Sequence, residues 1–313
     1  MIRKEYIIMS KFLNRLSRVM QRGHAFPIIV CLLVLIIALS SVYILFFTEK
    51  DLGTGNAATK VESETSDTRV IDDIYEGNRE IPKFSVAPNT YDTNKFQLVN
   101  NQVTYPGAYV GIDVSDHQGV IDWAKVKESG IHFAIIRVGY RGATRGRLSI
   151  DDEFENNIKG ATEAGLKVGV YYFSQATSVL EAEEEASEVL TNINGYQIDY
   201  PVVFDWEPVE PMEGETIRTA NVTGDMVSDC AAAFCKKVSK AGYNAAVYIN
   251  KTQAYEFYDL DKISSYDLWY AEYQLKPSLF YNFSIWQYSA NGTLDGIDSP
   301  VDVNLSFKDY VKK

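Results

Sequence analysis

From Ala108 onward the chain alternates two hydrophobic patterns: dense apolar runs of strand length, and stretches whose apolar residues recur every three or four positions. The runs "YVGIDVS", "HFAIIRVGY", "KVGVYYFS", "YPVVFDWE" and "NAAVYIN" predict strands. Helices are predicted between them by "IDWAKVKES", closed by Gly130, by "DDEFENNIKGATEAG", with Phe154, Ile158 and Ala161 at helical spacing, and by "SVLEAEEEASEVLTNI" and "GDMVSDCAAAFCKKVSKAG". A further helical stretch follows near Thr252 to Tyr258. The alternation then stops, because "DLWYAEY", "FSIWQYS" and "VDVNLS" crowd three strand-like runs into Asp267 to Ser306, with no room for helices. Repeated βα units imply a parallel sheet, since a right-handed crossover returns each strand beside the one before it. The predicted fold is an α/β, TIM-like barrel over residues 106–313: five βα units followed by three strands lacking helices. A doubly wound open sheet is the alternative.

Upstream the pattern differs. Ile28 to Phe47 is an uncharged apolar run of 20 residues, enough to cross a bilayer as a helix. Residues 1–27 carry six basic side chains against the single acid Glu5, so the positive-inside rule keeps this segment cytoplasmic and exports the rest. A cleaved signal peptide is the competing interpretation. The long basic region and long apolar run favour an uncleaved anchor, contacting the lipid bilayer through Ile28 to Phe47. Residues 48–105 predict a stalk and pre-domain segment: Thr48 to about Glu80 is rich in Thr, Ser, Asp, Glu and Gly and too poor in apolar residues to fold, while 81–105 has sporadic apolar residues without period. The predicted location is thus the cell membrane, single-pass, with the barrel outside.

Charge and residue inventory narrow the chemistry. Beyond the cytoplasmic segment the chain keeps 24 basic against 41 acidic residues, which makes nucleic acid a poor partner. A glycan would have to be held by local hydrogen bonds and stacking rather than by long-range attraction. The three histidines, His24, His117 and His132, offer no zinc-binding spacing, so neither a metal site nor a cofactor is expected. No G-x-S-x-G elbow is present, and Cys230 and Cys235 sit five apart in a predicted helix, where they serve as small core residues. Carboxylates, tyrosines and tryptophans remain, an inventory that suits glycoside hydrolysis.

The run "YPVVFDWEPVE" places Asp205 and Glu207 two apart at a strand end, hence on one face and about 6.5 to 7 Å apart along the backbone. Like charges so close are tolerated at an open strand end where one of them holds a proton, and the negative charge of Asp205 is expected to raise the pKa of Glu207. Asp113, Arg137 and Tyr171 also fall at predicted strand ends, where barrels of this kind carry their sites.

The segments "YVGIDVSDHQGVIDWAKVK", "FAIIRVGY", "VGVYYFS", "VVFDWE", "LWYAEY" and "WQYS…VDVN" resemble, in order and approximate spacing, the glycoside hydrolase family 25 lysozymes, the N-acetylmuramidases. The resemblance covers Ala108 to the C-terminus. It implies a barrel of five βα units plus three strands that cleaves the β-1,4 bond between N-acetylmuramic acid and N-acetylglucosamine in peptidoglycan. It further implies Glu207 as general acid, with Asp205 assisting it or orienting the substrate acetamido group, and Asp113 and Asp302 completing the carboxylate set. Where the family commonly has a His after the Tyr of the third strand, this chain has Tyr172, which points to Tyr171 as the site tyrosine. Asp205 is too near Glu207 in sequence to stand on the far side of the sugar, so retention with the substrate's N-acetyl oxygen as nucleophile is expected.

The other candidates are read as follows. Trp206 and Trp123 are expected in the core, and the "EAEEEASE" run as a solvated helix face. Tyr270, Trp286, Gln287 and Tyr288 are candidate substrate contacts, with Trp286 either a stacking platform or packing. Arg137 either neutralises the carboxylates or touches substrate, and His117 is expected to be a loop hydrogen-bonder. A non-catalytic glycan-binding protein, and a hydrolase of chitin-like chains, stay open as alternatives.

Overall fold

A computed structural model of the chain describes residues 67–100, 102–211 and 214–311. The predicted cytoplasmic segment, the membrane span and the stalk as far as residue 66 lie outside the described residues. Among the described residues no helix is long and apolar enough to cross a membrane.

The chain enters as a hairpin, β1 (Thr68–Asp73) and β2 (Gly77–Pro82), followed by a second small hairpin, β3 (Gln97–Val99) and β4 (Gln102–Thr104). The barrel begins with β5 (Tyr109–Val114), α1 (Trp123–Glu128) and β6 (Phe133–Arg141), which turns back as the short antiparallel β7 (Leu148–Ile150). It continues with α2 (Phe154–Glu163), β8 (Lys167–Ser174), α3 (Val179–Asn192), β9 (Val202–Trp206), α4 (Gly224–Lys240) and β10 (Ala245–Asn250). A π-turn at Gln253–Phe257 and α5 (Leu260–Ile263) lead to β11 (Asp267–Ala271), β12 (Ile285–Gly292) and β13 (Val301–Ser306), with no helix between these last three. Strands β5, β6, β8, β9, β10, β11 and β12 pair in parallel, β13 runs antiparallel to both β12 and β5, and the ring closes. The eight-stranded barrel is therefore the observed fold, and the open sheet is excluded by the β13–β5 and β5–β6 pairings.

Two apolar layers hold it. The outer one lies between barrel and helices and includes Ile112, Ile136, Phe204, Phe234 and Trp286. The inner one fills the lumen with Phe133, Ile135, Tyr200, Val203, Ala246, Trp269, Ile285 and Tyr310. Phe133 and Tyr200 stack at 4.3 Å inside the barrel, and a Cβ on Gly111 would meet the Phe133 ring at 2.3 Å, so β5 needs glycine there. Cys230 and Cys235 are free and fully buried in α4, as their helical spacing suggests.

Two expectations are corrected. Residues 68–80, read as part of an unfolded stalk, form the β1–β2 hairpin, and the segment after it wraps the barrel: Ile81, Phe96 and Val103 join the outer layer and Tyr91 stacks on Phe307 at 4.1 Å. Folded structure thus extends upstream of the predicted boundary at 106, to the β1–β2 hairpin. Second, the acidic face of α3 is not wholly solvated. Glu185 is completely buried, with its carboxylate 2.7 Å from Arg141 Nε and accepting from Ser174 Oγ. An ion pair of this depth is tolerated because both charges are paired and hydrogen-bonded.

Candidate active site

The C-terminal ends of the parallel barrel strands and the N-terminal end of the antiparallel β13 surround a cavity of about 310 Å³ lined by Asp113, Arg137, Tyr171, Asp205, Glu207 and Asp302, together with His117, Phe173, Tyr248, Trp269, Tyr273 and Gln287. Strand register explains the convergence. Asp113 on β5 stands directly opposite Asp302 on β13, and Asp205 on β9 pairs laterally with Phe173 on β8 and Tyr248 on β10. Glu207 follows the last residue of β9 on the same face as Asp205, while Trp206 between them turns outward and stacks on Phe257 at 5.1 Å. Alternation along a strand puts two acids on the lumen side and the indole in the packing layer.

Asp113 is the most tightly held carboxylate. Its Oδ2 accepts from Asn304 Nδ2 at 2.7 Å and from Gln287 Nε2 at 3.0 Å. Asn304 accepts from Trp269 Nε1 at 2.8 Å, and Gln287 accepts from the hydroxyls of Tyr248 at 2.9 Å and Tyr273 at 3.1 Å. These bonds form one network that ties Asp113 to three aromatic side chains. Asp205 is as deeply buried, but its Oδ1 has no hydrogen-bond partner within the protein. The carboxylates of Glu207 and Asp302 are half-buried.

Every one of these acids is pushed toward its protonated form. Burial raises Asp113, with the charge of Asp302 adding to it, and burial raises Asp205, with Glu207 adding. Glu207 is raised by burial first and then by Asp302. The repulsion expected between Asp205 and Glu207 is present and raises Asp205, and Asp302 adds to the charge around Glu207. Asp302 itself is pushed up to about 6 by burial. A cluster in which a half-buried acid holds its proton among other carboxylates can donate that proton and take one back.

The sequence model of the glycosyl hydrolases family 25 matches residues 112–297, more than half of the chain. The chain belongs to this family. It is 29% identical over 195 residues to the autolytic lysozyme of Clostridium acetobutylicum, a match covering 62% of this chain and 54% of the relative. To lysozyme M1 of Streptomyces globisporus it is 30% identical over 205 residues, 62% of this chain and 66% of the relative. The solved structure of a family 25 glycosyl hydrolase from Bacillus anthracis shares the fold, with a TM-score of 0.54 at 24% identity over 64% of this chain and 89% of that one. This chain therefore spans about half the length of the Clostridium relative.

In this family 25 barrel the structure brings Glu207, Asp205, Asp113, Asp302, Tyr171, Arg137 and Gln287 to one cavity. Tyr270, Trp286 and Tyr288 are not brought there. All three are buried in the outer layer; Trp286 Nε1 donates to the Glu272 carbonyl, and its ring meets the edge of Phe96 from the N-terminal segment at 5.4 Å. Because Gln287 faces the lumen, its neighbours Trp286 and Tyr288 face the other way, and Trp269 takes the lumen position that was assigned to Tyr270. Arg137 pairs directly with Asp151, at 2.7 Å, and Asp116, at 2.6 Å, and from there its charge partly offsets the upward push on Asp205. His117 stands at the cavity edge, 3.3 Å from Asp116. Tyr172 points away from the cavity, into the outer layer.

Sequence reasoning missed Tyr248, Trp269 and Tyr273, and also two glutamines beneath the site. Gln175 Nε2 donates to the backbone carbonyl of Glu207 at 2.8 Å, and Gln253 Nε2 to that of Trp206 at 2.8 Å. Both are buried, and together they hold the end of β9 that aims the two acids. The available signal was register: Tyr248 and Trp269 lie on the same lateral row as Asp205.

The raised carboxyls make stability depend on pH. Folded Asp302 keeps its proton up to about pH 6, whereas the unfolded side chain releases it near 3.8. Between those values the folded state binds more protons, so stability falls as pH rises. Asp302→Asn is expected to be more stable than the parent at about pH 7, by on the order of 2 to 3 kcal/mol, and to lose the advantage at about pH 4. Denaturation midpoints of parent and variant measured at both pH values check this, and identical midpoints at neutral pH would contradict it.

Proposed function

We propose that this protein is a peptidoglycan hydrolase that cleaves the β-1,4 bond between N-acetylmuramic acid and N-acetylglucosamine. The observation that carries this is the meeting of Asp113, Asp205, Glu207 and Asp302 in one aromatic-lined cavity at the C-terminal end of a family 25 barrel. Its similarity to an autolytic lysozyme and to lysozyme M1 supports the same substrate class.

In this mechanism Glu207 gives its proton to the leaving glycosidic oxygen as the C1–O bond breaks. The acetamido oxygen of the N-acetylmuramic acid residue attacks C1 and forms a cyclic oxazolinium. Asp205, whose Oδ1 is free of protein partners, accepts the acetamido N–H and orients the group. Glu207, now a carboxylate, removes a proton from the incoming water, which opens the ring with overall retention. Asp302, ionised above about pH 6, supplies negative charge beside the cationic transition state, and Tyr171 and Trp269 line the cavity that receives the sugar. The protein is held at the cell membrane by a single span, Ile28 to Phe47, with its barrel facing the wall.

One experiment tests site and setting together. Full-length protein extracted from the membrane fraction should release fragments whose new reducing end, by mass spectrometry, is N-acetylmuramic acid. A new N-acetylglucosamine end would contradict the cleavage site, binding without release would favour a glycan-binding protein, and cleavage confined to chitin-like chains would move the substrate. Recovery only as a soluble form lacking the apolar run would contradict the anchor.

A further inference from the structure

The β1–β2 hairpin precedes the residues that match family 25, yet its turn bonds to the loop after β11, which carries the cavity-lining Tyr273. Its turn carries two exposed side chains, Ile74 at 52% and Tyr75 at 44% of their full accessible area. The turn is fixed: Asp73 Oδ1 accepts from the backbone N–H groups of Tyr75 and Glu76, and Lys251, just past β10, pairs with Asp73 at 2.9 Å and with Glu76 and Glu272 at 3.1 Å. The Tyr75 hydroxyl donates to the Lys276 carbonyl at 3.0 Å and accepts from the Lys276 N–H at 3.2 Å. Lys276 belongs to the loop after β11. Glu272 braces that loop by accepting from both the N–H and the hydroxyl of Ser278. The same loop presents Tyr273, 55% exposed and lining the cavity, and Leu275, 58% exposed.

We propose that Tyr75 and Tyr273, with Ile74 and Leu275, form a shelf that binds the β-1,4-linked N-acetylhexosamine strand beyond the sugars held at the four carboxylates. The inference rests on the glycan-hydrolase reading of the cavity. Four exposed large apolar side chains on two mutually bonded loops offer apolar surface of the kind that marks a binding site. Its continuity with the cavity through Tyr273 selects the occupant, since a polymer seated at the carboxylates must leave across a neighbouring rim. Both tyrosine hydroxyls are already engaged with protein, Tyr273 with Gln287 and Tyr75 with Lys276, so the rings are immobilised and what they offer is apolar face. Such faces suit the C–H faces of pyranose rings, and immobilisation in advance lowers the entropy lost on binding.

The test compares full-length parent in detergent with Tyr75→Ala and Tyr75→Phe, on glycan fragments short enough to fill the cavity alone and on strands several repeats longer. For Tyr75→Ala the ratio of long-strand to short-fragment kcat/KM should fall about three- to ten-fold, the size of one aromatic contact. Tyr75→Phe, which keeps the ring and loses the brace to Lys276, should fall between the parent ratio and that of Tyr75→Ala. An unchanged ratio for the Ala variant, or a Phe variant as impaired as Ala, overturns the shelf while turnover by the parent leaves the hydrolase reading standing. Binding to insoluble peptidoglycan is measured in parallel. A parent without turnover whose binding still depends on the Tyr75 ring supports the shelf and defeats the hydrolase reading; a parent with neither turnover nor binding defeats both.

Discussion

Glu207→Gln is expected to lower kcat on peptidoglycan by roughly 10²- to 10⁴-fold, the usual worth of general acid help, with the barrel still folded. The amide keeps the shape of the side chain and leaves untouched the backbone bond from Gln175 that holds this end of β9. It cannot supply a proton to the leaving oxygen. KM should change little, because the side chain contributes to bond breaking rather than to binding the strand. The pH profile of the parent carries the same assignment: burial and the charge of Asp302 raise Glu207, so the protonated, competent form persists above the ordinary carboxyl range and activity is lost as pH rises through the raised value. A folded Gln variant turning over at near-parent rate would remove Glu207 from its role and leave Asp302 as the next acid on the cavity wall. Circular dichroism and the thermal midpoint of the variant separate loss of chemistry from loss of fold.

A strand whose cleaved residue carries a free amine in place of the acetamido group is expected to be nearly inert, with a loss in kcat/KM of at least about 10²-fold, comparable to removing the acid. Without the acetyl oxygen there is no internal nucleophile, and the partner for Asp205 disappears with it. Inverting enzymes hold their two carboxyls roughly 6.5 to 9.5 Å apart, across the bond, to seat a water. Asp205 instead lies two residues before Glu207 and on the same side of the chain, so the pair approaches the sugar from one side rather than from opposite sides of the bond. NMR of the first-formed reducing sugar should accordingly show the β anomer. An α product would contradict retention. Full cleavage of the deacetylated strand with a β product would shift the nucleophile to an enzyme carboxylate, with Asp113 or Asp302 as candidates.

Much of this architecture is legible in the chain before any coordinates are known. The switch from helical spacing to dense apolar runs marks the strands of the βα region, and the missing helical spacing after Asp267 marks the change to bare strands. Asp205 and Glu207 share a face because the side-chain period of a strand is two, whatever the fold around it. The inventory of three histidines and helix-bound cysteines likewise directs attention to carboxylates.

Which face of each strand looks into the barrel was decided only in three dimensions. Barrel strands are buried on both sides, so large apolar or aromatic residues stand at adjacent positions of "LWYAEY" and "IWQYS", and alternation does not separate lumen from packing layer. Tyr270 and Trp286 were equal in sequence to Trp269 and Gln287, and closure of the ring sent the first pair outward and the second inward. The same holds for contacts between distant residues. Arg141 buries Glu185 from 44 positions away, and Trp286 is covered by Phe96 from a segment whose apolar residues have no period. Local spacing determines which element forms and which side chains share its face, whereas the partner of that face is set by packing, which no single segment encodes.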